Sequence, residues 1–113
     1  MTTRRPKAPA HLAPATAKWW RQVQDDYLLE PHHVRLLTLA AEAWDRNQSA
    51  REIIDKEGLT YLDRFEAPRT RPEVAIERDT RLGFARLIRE LDLDVDPPSS
   101  GRSAPPGLRS NRR

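Results

Sequence analysis

Residues 31–58 read PHHVRLLTLAAEAWDRNQSAREIIDKEG, a stretch opened by a proline and closed by a glycine. Pro31 has the fixed φ and missing amide that suit a first helical position, and Gly58 tolerates the reversed backbone of a helix end. Between them Val34, Leu36, Leu37, Leu39, Ala40, Ala41, Ala43, Trp44, Ala50, Ile53 and Ile54 recur at helical intervals as a wide stripe. The stretch predicts one helix from residue 31 to 57, about 40 Å long at 1.5 Å per residue. A helix so long, and so apolar in its first half, needs more cover than one short neighbour supplies.

Upstream, Pro14 marks the start of a first helix that runs through Lys18, Trp19, Trp20, Arg21 and Val23 towards Tyr27. A short break at Leu28, Leu29 and Glu30 separates it from the long helix. Downstream, residues 59–71 form a connection with no firm secondary structure, whose Leu59, Tyr61, Leu62 and Phe65 are available to dock on the helices. Pro72 and Glu73 open a third helix, with Ile76, Thr80, Phe84, Leu87, Ile88 and Leu91 at three- and four-residue spacing, ending near Leu93. The acids Asp92, Asp94 and Asp96 oppose the helix dipole there, and Pro97-Pro98 follow. The fold class expected is all-α: a small bundle of three helices around a long central one, with no competing strand pattern.

The ends differ in composition. Residues 1–12 hold Arg4, Arg5, Pro6, Lys7, Pro9 and His11, and residues 97–113 carry prolines and arginines without an acid. The domain organisation expected is a disordered basic arm over 1–12, a helical domain over 13–93 for DNA recognition and oligomerisation, and a disordered Pro/Ser/Arg-rich tail over 94–113. A foldable part of about 80 residues supplies a marginal core, so association is the expected remedy. The formal charge is only +3, with 33% charged residues, but the excess sits in the ends, which suits a polyanionic partner.

Absences narrow the chemistry. No cysteine is present, which removes disulfides and thiolate metal sites. No apolar run approaches the roughly 20 residues of a membrane span, and no hydrophobic signal region follows the N-terminal arginines, so a soluble intracellular protein without a membrane partner is expected. The four glycines are scattered, which leaves no phosphate-cradling loop or dinucleotide fingerprint. Adjacent His32 and His33 point about 100° apart on a helix, a poor start for a metal site. The serines lie in a helix or in the tail, away from any base. Neither an enzyme nor a bound cofactor or metal is expected.

Binding residues are the remaining candidates. Arg4, Arg5, Lys7, Lys18 and Arg21 meet no acid before Asp25, and Arg69 and Arg71 flank the third helix start. Such clusters gain from phosphate contact by releasing condensed counterions. The first two helices also fit a helix-turn-helix unit, which places His32, His33 and Arg35 near base edges at the start of the second helix. Trp19, Trp20 and Trp44 are expected in the core rather than as stacking platforms, since they recur at helical spacing among leucines. Arg78, Arg81 and Arg89 share a side of the third helix, but Glu77 with Arg81 and Arg86 with Glu90 have the spacing of a salt-bridged solvent face.

The order of these parts resembles the phage terminase small subunit family over about residues 8–103. The segments that carry the resemblance are Ala15-Thr16-Ala17-Lys18-Trp19-Trp20-Arg21-Gln22-Val23, the apolar run Leu37 to Trp44, Ile54 to Gly58, the Arg71-Pro72 entry, and the close Ile88-Arg89-Glu90-Leu91-Asp92-Leu93 before Pro97-Pro98-Ser99-Ser100-Gly101-Arg102. None is catalytic, and the resemblance rests on their order and spacing. It implies a homo-oligomeric ring that recognises double-stranded viral DNA at the packaging-initiation site, in the cytoplasm of the infected bacterial host. It also implies recruitment and regulation of a large terminase subunit, which holds the ATPase and nuclease. Two other readings fit the same residues: a helix-turn-helix transcriptional regulator, for which a dimer is expected, and a helical adaptor without a nucleic-acid role.

Overall fold

The structure is a computed structural model and describes residues 6–93. Three helices account for most of it, in the order α1 (Pro14–Asp26), α2 (Pro31–Glu57) and α3 (Pro72–Leu91), with a small antiparallel pair, β1 (Thr60–Leu62) and β2 (Pro68–Thr70), between α2 and α3.

Each helix starts with a proline in its first turn, preceded by an extended residue: Ala13, Glu30 or Arg71. α2 adds a capping box, in which the Glu30 side chain accepts the His33 amide and His33 Nδ1 accepts the Glu30 amide at 3.3 Å. Ala13 has no capping side chain of its own. Asp45, from the middle of α2, substitutes for it by accepting the Ala13 amide at 2.8 Å and the Thr16 hydroxyl. The start of α1 is therefore tied to its neighbour. At the far ends, Gly58 closes α2 with φ 91° and Asp92 closes α3 in the left-handed region, a conformation that short polar residues tolerate.

α2 is the central element. Thr16 meets Asp45 while the Trp20 indole N–H donates to Thr38 Oγ1 at 3.2 Å, so α1 runs opposite to α2 along its first half. Asn47 meets Glu77 and Trp44 meets Phe84, so α3 also runs opposite to α2 and returns along its length. Leu12, Trp20, Val23, Leu37, Ala41 and Leu91 form the core, flanked by Ala8, Leu29, Val34, Leu36, Ile88 and Leu93. Ala40, Ala41 and Ala50 are buried on α2, where small side chains allow a close partner backbone. The core thus occupies the α1 end of the molecule, and the second half of α2 pairs only with the first half of α3.

Three expectations change. The connection 59–71 is not irregular but a hairpin, with Thr60 opposite Thr70, Tyr61 opposite Arg69 and Leu62 opposite Pro68. Its apolar residues face outwards, Phe65 at 73% and Leu62 at 66% exposure, because a two-stranded tip beyond the helices has nothing to pack on. Secondly, the packed domain begins before residue 13. Leu12 is buried in the core, Ala8 packs against it, and His11 Nε2 lies 2.8 Å from Glu42 Oε2, so residues 8–12 of the expected arm belong to the packed part. Thirdly, the tryptophans part company: Trp20 is 1% exposed, but Trp44 is 44% exposed. The small Ala15 and Thr16 of α1 stand opposite Trp44 and cannot cover its ring. Residues 94–113 lie outside the described residues.

Candidate nucleic-acid interface

On α1, the buried residues Thr16, Trp20 and Val23 define the inner face. Lys18 and Arg21, three apart, fall on the opposite side, and both are exposed. Neither has an acidic partner among the described residues. Lys7 is exposed on the approach to Leu12, while Arg4 and Arg5 lie outside the described residues.

The start of α2 lies at the same end of the α1–α2 hairpin, because Arg21 and Arg35 each sit within a helical turn of the Trp20–Thr38 contact. His32 and Arg35 are exposed, His33 is half-buried, and the two imidazoles lie 4.0 Å apart. With His33 Nδ1 accepting the Glu30 amide, a neutral ring carries its proton on Nε2 and offers an outward donor. The Glu30 carboxylate already occupies part of the α2 N-terminus, so a phosphate there is met by side chains rather than by the helix dipole. Lys18, Arg21, His32, His33 and Arg35 therefore form one group.

Arg69 and Arg71 form another, at the opposite end of α2 and about 40 Å away along that helix. Both guanidinium groups are already engaged. Arg69 Nε donates to Asp63 Oδ2 at 2.9 Å. Arg71 Nη2 donates to the Glu57 carbonyl at 3.3 Å, lies 3.8 Å from that residue's carboxylate, and stands over the Tyr61 ring at 5.9 Å. Sequence spacing could not reveal these acids as partners, since the hairpin register creates both contacts. Asp63 organises the turn as well: its Oδ1 accepts the Phe65 and Ala67 amides at 2.8 and 3.0 Å. The Ala67 amide, then Arg69, then the Phe65 amide hold the Asp63 carboxyl below its ordinary pKa, against an opposing desolvation.

On α3, Arg81 pairs with Glu77 at 3.1 Å as its spacing implies, and Arg78 turns to Asp79 at 3.2 Å. Arg86 and Arg89 are exposed and unpaired among the described residues. The Glu77 carboxyl is held below its ordinary pKa by Arg81 first and Asn47 second. No cluster of metal-binding side chains occurs among the described residues. No described helix is long and apolar enough to cross a membrane.

The site geometry is thus three cations, Lys18, Arg21 and Arg35, without acidic partners among the described residues and beside two imidazoles at the α1–α2 end, with self-neutralised arginines at the hairpin end. Comparison with known proteins adds one finding: the family model described as phage terminase, small subunit matches residues 16–104. No curated protein and no solved structure matches the chain.

Proposed function

This chain belongs to the phage terminase small-subunit family, and from that membership we propose that it recognises viral DNA where packaging starts and recruits and regulates the large terminase subunit. The match across α1, α2, the hairpin and α3 is the observation that carries this reading. Members of this family are generally the non-catalytic, DNA-binding subunit. Here that role falls to the arm with Arg4, Arg5 and Lys7 and to Lys18 and Arg21, of which Lys7, Lys18 and Arg21 have no acidic partner among the described residues. Phosphate contacts position a protein without reading sequence, so base recognition is assigned to His32, His33 and Arg35 at the start of α2, as in a helix-turn-helix. Arg69 and Arg71 serve the hairpin first and contact DNA only secondarily.

The working form is a closed homo-oligomer of more than four subunits, acting in the host cell during packaging. Apolar surface left on α2, α3 and the hairpin supports association, and repetition of weak basic arms around an oligomer multiplies their affinity. Capture of random phage genome fragments by the purified protein, with sequencing of what is retained, tests the reading. Enrichment of one packaging-start region, together with stimulation of the cognate large subunit, is the expected result. Enrichment of promoter segments by a dimer would replace this reading with that of a transcriptional regulator.

A further inference from the structure

Two apolar features of opposite shape lie on this chain. One is a recess of about 270 Å³ lined by Ala15, Thr16, Trp19, Trp44 and Phe84. Phe84 anchors it, with its ring centroid 6.1 Å from that of Trp19 and 5.2 Å from that of Trp44. The other is a projection, the hairpin turn that carries Phe65 just beyond Leu62 at the end of β1, both exposed. Scattered apolar side chains are ordinary on a surface, but an aromatic recess and an exposed aromatic ring at a projecting tip mark contact sites.

The charges at the tip select the kind of partner. Asp63 neutralises Arg69 and Glu57 engages Arg71, which leaves Arg64, stacked 5.0 Å from the Phe65 ring, and Glu66. These two cancel, so the tip has no net attraction for a polyanion. A tip without net charge suits an uncharged recess such as the one lined by Trp19, Trp44 and Phe84. Within one chain the two features do not meet. About 20 Å of paired helix, Trp44 to Glu57, separates the recess from the hairpin base.

We propose that the hairpin tip of one copy seats Phe65 in the Trp19–Trp44–Phe84 recess of the next copy. The contact is head-to-tail, which generates a ring when the rotation closes. This assignment rests on the homo-oligomeric reading above and names the contact surface it requires. Phe65 is the anchor in a pocket, the arrangement in which one aromatic side chain dominates an interface.

The absence of cysteine allows a direct test. Ala15→Cys and Arg64→Cys proteins, both altered at exposed positions, are mixed and oxidised alongside each variant alone. A disulfide between the two variants, with little within either, is the expected result. Self-linked Arg64→Cys pairs alone would overturn the assignment, as would oligomers of normal mass that do not crosslink. In parallel, Phe65→Ala should keep its fold, because that side chain packs on no core residue. It should raise the concentration at which the oligomer dissociates by about 30-fold or more, the scale of a hot-spot anchor. Unchanged dissociation would overturn the contact while leaving the oligomer reading intact, whereas a monomeric parent protein would overturn both. Loss of DNA affinity at unchanged oligomer size would assign the tip to DNA instead.

Discussion

Replacing Trp20 by alanine is the sharpest perturbation of this fold. The indole is 1% exposed and sits where α1, α2 and the end of α3 meet. A buried tryptophan removes about 150–250 Å² from water, which at about 25 cal/mol per Å² corresponds to about 4–6 kcal/mol. Alanine retains part of that contact, so the expected cost is about 3–5 kcal/mol, as for other aromatic-to-alanine changes in cores. The lost hydrogen bond adds little, because the Thr38 hydroxyl still donates to the Val34 carbonyl at 2.9 Å and only an acceptor is left open. Against a total stability of about 5–10 kcal/mol for a domain of this size, about a third or more disappears. Trp20→Phe, which keeps most of the packing, should cost about 1–2 kcal/mol. Trp44→Ala provides the control: its ring is already 44% exposed, so the loss should be about 2 kcal/mol or less at a fixed subunit concentration. Denaturant unfolding followed by far-ultraviolet circular dichroism measures all three. Equal losses for Trp20→Ala and Trp44→Ala would refute the placement of the core.

Asn47 is buried and donates through Nδ2 to the Glu77 carbonyl at 2.8 Å and to its carboxylate at 3.2 Å, the main polar link between α2 and α3. Asn47→Ala should lower stability by about 1–3 kcal/mol, and Asn47→Asp by more at neutral pH, with partial recovery in acid; thermal melts at two pH values check this. The Asp63 and Glu77 carboxyls both have depressed pKa values in the folded state. Their stabilisation is therefore complete above the ordinary carboxylate range near pH 4 and is lost as pH falls through the folded values. The protection of the Phe65 and Ala67 amides, measured relative to their intrinsic exchange rate at each pH, should fall over that acid range in the parent protein. Those amides should exchange fast at neutral pH in Asp63→Ala, yet stay largely protected in Asp63→Asn, whose Oδ1 can still accept both.

Proline and glycine placement made the helices legible. Pro14, Pro31 and Pro72 each occupy a first helical turn, and Gly58 ends α2 with the positive φ that glycine tolerates. The hairpin was illegible because its determinant is tertiary in character: the Asp63 carboxylate gathers two amides and a guanidinium that the sequence lists only as neighbours. The alternation of Thr60, Tyr61 and Leu62 is too short to signal a strand. Trp44 was misread for a related reason. Helical spacing shows which residues share a face, but only the short side chains of Ala15 and Thr16 across the groove decide whether that face is covered. At the candidate site, Lys18 was readable as a free cation because no acid lies within a helical turn of it, whereas Arg21 has Asp25 four residues on, a spacing that by itself predicts a pair. The partners of Arg69 and Arg71 come from chain reversal and were not readable.

The salt dependence of DNA affinity tests the central claim most directly, because that claim places electrostatic contact on the arm and the outer face of α1. Each phosphate neutralised contributes about 0.9 to the slope of log affinity against log salt. Lys18→Gln with Arg21→Gln should therefore flatten the slope by about 1.8 for each subunit in contact. Removal of residues 2–7, which spares Ala8 on the core, should flatten it further and weaken cognate and random duplexes alike. Oligomer mass and the preference for the packaging-start sequence should persist in both variants. Slopes and affinities equal to those of the parent protein would contradict the account.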